Sequence, residues 1–124
     1  MKKLKHIKEY IDPETEPADI LFEMANVVQD RTGLPIIIWI SPKMANHGPR
    51  IKAQNSYSKK VVPDKLFVVT IEDEPRVVGD ASEVKKKDVD LVIEFVKINK
   101  NILLDFWNEK ESDIVKVIES FKRV

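Results

Sequence analysis

The sequence contains no cysteine. That excludes a disulfide framework, a cysteine zinc site, a thiol nucleophile and an iron–sulfur cluster. Its 3 glycines, Gly33, Gly48 and Gly79, stand far apart, so no glycine-rich loop can cradle a phosphate in the Walker or Rossmann manner. A Gly-x-Ser-x-Gly elbow is also missing. The 2 histidines, His6 and His47, lack a second histidine at helical spacing, so neither a metal site nor a cofactor is expected. The longest apolar run, Ile36-Ile37-Ile38-Trp39-Ile40, falls well short of the roughly 20 residues that cross a bilayer. Met1 to Lys8 is basic, but Glu9, Asp12 and Glu14 follow where a signal peptide would place its apolar segment. These absences point to a cytoplasmic protein with no membrane contact.

What is present describes one domain. The 124 residues are 43% hydrophobic, enough for one core and too apolar for intrinsic disorder. Residues 1–10 read as a basic, disordered tail. Pro17 and Asp19 suit a helix start, and Ile20, Leu21, Met24, Val27 and Val28 recur at helical spacing up to Gly33. The spacing predicts a first helix over about 17–32. Leu34 to Ser41 is apolar at nearly every position, as in a strand covered on both faces, and Pro42 ends it. Residues 50–55 alternate like a strand with one wet face, and 66–71 pairs across the turn Glu72-Asp73-Glu74-Pro75 with 76–79.

From Ser82 onward the pattern is helical. Val89, Val92, Ile93 and Val96 form one stripe, Asn99-Lys100-Asn101 interrupts it, and Asn101 is placed to cap a further helix. Ser112 or Asp113 starts a last helix with Ile114, Val117, Ile118 and Phe121 inward. The order predicts an α+β domain: an N-terminal helix, a mostly antiparallel sheet of about four strands, and C-terminal helices packed on one face.

The 21 basic and 21 acidic residues cancel in number but not in position. Between Glu9 and Asp30 there are acids (Glu9, Asp12, Glu14, Glu16, Asp19, Glu23, Asp30) and no Lys or Arg. From Arg31 to Ile71 the bases Arg31, Lys43, Arg50, Lys52, Lys59, Lys60 and Lys65 face the single acid Asp64. Complementary solvated faces would account for this, and charge also keeps strand edges from pairing with other chains. A positively charged groove for phosphate, RNA or an acidic partner would account for it too.

The binding candidates are therefore Lys43, His47, Arg50, Lys52, Lys59 and Lys60. For an enzyme, Arg50 and Lys52 would hold negative charge while His47 or Tyr57 moves a proton. Tyr57 would otherwise stack on a base or pack against its own loop. Trp39 and Trp107 read as core. Lys85-Lys86-Lys87 is a solvated helix start in the ordinary case, yet cations at that end oppose the helix dipole and raise a question.

The segments His47-Gly48-Pro49-Arg50-Ile51-Lys52-Ala53, Val77-Val78-Gly79, Leu91-Val92-Ile93-Glu94-Phe95 and Asn101-Ile102-Leu103-Leu104-Asp105-Phe106-Trp107 together resemble a family of short bacterial proteins, domain of unknown function 4160. That family typically shows Pro-His-aromatic-His-Val, a glycine turn and a helix ending in Leu-Leu-x-x-Trp. Arg50 and Lys52 stand where the family has its histidines, so positive charge is kept while histidine chemistry is not. The helix before Gly33 is an addition to the family pattern. Members often sit beside another small protein in toxin–antitoxin-like arrangements, so the resemblance implies a partner-dependent module and names no reaction. The sequence thus leads to a non-enzymatic module acting through a protein partner, in a toxin–antitoxin-like or defence-related pair. Its contact surface would be the basic 43–65 face or the acidic first helix. An RNA-binding or metal-independent RNA-cleaving protein is the alternative, and a homo-oligomer pairing through its sheet edge is the third.

Overall fold

A computed structural model describes residues 25–27, 29–43 and 46–124. Its strands are β1 (Ala25–Val27), β2 (Ile38–Ile40), β3 (Arg50–Gln54), β4 (Leu66–Thr70) and β5 (Val77–Val78). A single turn, α1 (Gln29–Thr32), precedes β2, and α2 (Lys86–Ile98), α3 (Lys100–Trp107) and α4 (Ile114–Ser120) follow β5. The strands form one antiparallel meander in chain order, and the domain is α+β as expected.

The first helix departs from the sequence reading. Residues 17–24 lie outside the described residues, but Ala25–Val27 is extended and pairs with Ile38–Ile40. Helical spacing alone suggested otherwise; the tertiary demand prevails, because β2 needs a second partner for its backbone groups. With β1 added at its edge, the sheet has five strands. Gly33 closes α1 with φ +78°, and a Cβ there would lie 2.4 Å from the Val124 carbonyl oxygen. Glycine is required at that position on both counts.

The main core lies between one sheet face and the helices. Ile38, Ile40, Ile51, Ala53, Phe67 and Val69 meet Val92, Phe95, Val96, Leu103, Val117 and Phe121. The Phe95 and Phe121 rings meet edge to face with centroids 5.1 Å apart. On the opposite face Trp39 packs with Ile37, Trp107 and Leu66, so β2 is covered on both faces, as its unbroken apolar run requires.

Asn99, buried, separates α2 from α3. Its amide nitrogen donates to the carbonyl oxygens of Phe95 (3.0 Å) and Lys122 (2.9 Å), and its oxygen accepts the Lys122 N–H at 2.8 Å. The break therefore comes two residues before the Asn101 cap read from the sequence. Asp113 caps α4 as expected, accepting from the N–H groups of Val115 (3.0 Å) and Lys116 (3.4 Å).

Candidate functional site

Strand alternation decides which side chains can meet. Ile51 and Ala53 enter the core, so Arg50 and Lys52 project from the other face, about 7 Å apart along the strand. The register places Lys52 opposite Val68, and Val68 opposite Val78. A cleft of about 250 Å³ opens over these residues, lined by His47, Arg50, Lys52, Asp64, Val68 and Val78 among others. His47, Arg50 and Lys52 are half-buried, and Val78 is 47% exposed. The structure thus brings three of the sequence candidates into one concavity, over an apolar floor and with one carboxylate at its margin.

Arg50 also forms the border of a second cleft of about 240 Å³, whose other side is Thr70, Glu72 and Arg76. The Thr70 hydroxyl donates to Glu72 Oε2 (2.5 Å) and accepts the Arg76 N–H (2.7 Å), and Arg76 Nε donates to the same carboxylate at 3.0 Å. The hydrogen bond from Thr70, with that from Arg76 behind it, holds the Glu72 carboxyl below the usual range. This is why the acidic stretch forms a tight turn.

The remaining candidates lie elsewhere. Lys43 is exposed, and its N–H donates to the Trp107 carbonyl oxygen at 2.8 Å. Tyr57 points to the start of α2: its hydroxyl donates to Asp88 Oδ2 and accepts the Lys85 N–H at 2.8 Å. The bond to Asp88 raises the Tyr57 pKa above its ordinary 10.0. Its hydroxyl thus serves a helix terminus rather than the cleft. Lys59 and Lys60 are exposed on the loop that Tyr57 anchors.

That loop has an internal scaffold the sequence reading missed. Gln54 is fully buried, although it shares the wet-face parity of Arg50 and Lys52. Its amide nitrogen donates to the carbonyl oxygens of Ser58 (3.0 Å) and Lys60 (3.1 Å), and its oxygen accepts the Val62 N–H at 2.8 Å. Asn55 accepts the Glu83 N–H at 2.8 Å, while Lys65 Nζ meets Glu83 Oε1 at 2.7 Å. The one available signal was a pair of amides ending a strand just before a long polar loop, since side-chain amides substitute for backbone partners in irregular segments.

Among the described residues no cluster of His, Asp and Glu is arranged to hold a metal ion. No helix among them is long and apolar enough to cross a membrane. Compared with protein-family models, curated proteins and solved structures, the chain matches none.

Proposed function

We propose that this chain is a small non-enzymatic binding module that works through a protein partner, in a toxin–antitoxin-like or defence-related pair. The observation that carries the reading is the make-up of the outer cleft. An apolar floor of Val68 and half-exposed Val78 is bordered by Arg50, Lys52 and His47. Protein interfaces share this anatomy, with an apolar centre and a charged rim that sets register. The partner's contact would be a segment with apolar residues flanked by carboxylates. The basic face is the contact we favour, because the cleft opens there. Co-expression with any small protein encoded beside it, followed by native mass spectrometry, tests this. A stable heteromer that Val78→Asp disrupts is the expected result, and free monomer throughout refutes it.

A second reading, an RNA-binding or RNA-cleaving protein, draws on the same convergence of His47, Arg50 and Lys52. Proton transfer would then rest on His47, because the Tyr57 hydroxyl is committed to Lys85 and Asp88. In this reading Arg50→Ala with Lys52→Ala abolishes both RNA binding and growth inhibition on expression; unchanged toxicity in the double variant rules it out.

A further inference from the structure

Lys85, Lys86 and Lys87 stand at the positive end of a 13-residue helix, where cations oppose the dipole and weaken the fold. Only Lys86 has an ion-pair partner along the helix, Asp90, so folding gives no such reason for Lys85 and Lys87. The structure brings them beside a second basic pair. Tyr57 is fastened to Lys85 and Asp88, and Asn55 to Glu83 at 2.8 Å, so the loop carrying Lys59 and Lys60 lies against the start of α2. Lysines some 25 positions apart in the chain thereby share one end of the molecule.

Three acids at the start of α2 are already engaged. Glu83 pairs with Lys65 at 2.7 Å, Asp90 with Lys86 at 3.2 Å, and buried Asp88 accepts from Tyr57. Lys59, Lys60, Lys85 and Lys87 are all exposed and make no ion pair among the described residues. In their midst the Tyr57 residue stays 41% exposed although its hydroxyl is bonded, which leaves ring surface open to solvent.

We propose that this end of the molecule binds single-stranded nucleic acid, with phosphates on Lys59, Lys60, Lys85 and Lys87 and a base stacked on the Tyr57 ring. Two considerations favour that occupant over an acidic protein. Lysine is depleted from protein–protein interfaces, whereas it supplies much of the phosphate contact in nucleic-acid complexes. An exposed aromatic among cations is the arrangement that accepts a base without reading its identity. None of the four lysines lines either cleft, so this surface is separate from the proposed partner site and goes beyond that reading.

The test is fluorescence anisotropy of the full chain with a labelled 12-nucleotide oligo-uridine, from 50 to 200 mM KCl, with a 12-residue polyglutamate as competitor. Four phosphate contacts correspond to a slope of log K against log salt of about −3. Lys59→Gln with Lys60→Gln, and separately Lys85→Gln with Lys87→Gln, should each weaken binding about tenfold or more and flatten that slope. These side chains are exposed, so far-ultraviolet circular dichroism should be unchanged. Tyr57→Phe keeps a ring and should retain more affinity than Tyr57→Ala. Absence of binding at 50 mM KCl overturns the proposal, as does affinity unaltered in both lysine pairs. Loss of binding only in Arg50→Ala with Lys52→Ala overturns it too, by moving the nucleic acid to the cleft, and polyglutamate competing as well as unlabelled oligonucleotide would point to an acidic protein instead.

Discussion

Tyr57 and Asp88 are 31 residues apart in the chain and joined by a hydrogen bond from phenol to carboxylate. Because the same hydroxyl accepts the Lys85 N–H, it completes what a capping box does with a longer acid. In that motif the third helical residue reaches back to the cap N–H. Here Asp88 holds that third position, and a distant tyrosine bridges the gap. Lys85, at the cap, has no side-chain hydrogen bond of its own to offer.

The phenol is held neutral in the native state, so its contribution to stability is present below the ordinary tyrosine pKa. It is lost as pH rises through the raised native value. Alkaline unfolding should therefore release a phenolate absorbance change with the transition itself. In Tyr57→Phe that component should vanish, leaving only the signal of Tyr10, the other tyrosine, and the variant should be less stable at neutral pH.

Gln54→Leu should cost about 2–3 kcal/mol in urea unfolding, because one change strips partners from three backbone groups of a packed loop. Trypsin provides a local readout. Cleavage after Lys59 and Lys60 should accelerate well beyond the change expected from global stability alone.

Hydrogen bonds from Thr70 and then Arg76 lower the Glu72 pKa. Its depressed pKa contributes stability above the ordinary glutamate range, and that contribution is lost as pH falls through the native value. By NMR titration, Thr70→Val and Arg76→Gln should each move the Glu72 pKa upward. Added salt should erode the Arg76 attraction while leaving the neutral Thr70 hydrogen bond largely in place.

Asn99→Ala removes three hydrogen bonds at the junction of α2 and α3. We expect a loss of about 2 kcal/mol. Hydrogen exchange should rise first at Lys122 and its neighbours, since they lose their tie to the helix junction.

Glu109 has φ 60°, a left-handed conformation, just past the end of α3. Glu109→Gly should raise stability by about 0.5–1 kcal/mol in thermal unfolding, as glycine bears no Cβ penalty there.

Much of the fold was legible because its strands carry two-residue periodicity and sharp punctuation. The Leu66–Thr70 and Val77–Val78 hairpin needed only its apolar runs and the Glu72–Pro75 turn. Arg50 and Lys52 shared a face by parity alone, which is why the cleft was half visible in advance. Tyr57 was not, because an aromatic among lysines looks the same whether its hydroxyl caps a helix or meets a ligand. Gln54 broke its own parity for the sake of a loop, and Ala25–Val27 left the helical pattern to complete a sheet. For Tyr57 the deciding partner lay far along the chain, whereas Gln54 found its partners within its own loop, where no periodicity marks them.

The strand order has a kinetic consequence. Every strand pairs with its neighbour in the chain, so each step of sheet assembly closes one short loop and no long crossover has to be searched for. Loop-closure entropy then favours zippering outward from the β3–β4 ladder, the longest register in the sheet. Helices arriving afterwards find a template already laid down. For a sheet protein this chain should fold quickly, and substitutions at Ile51 or Val69 should slow folding while those at Val117 mainly hasten unfolding.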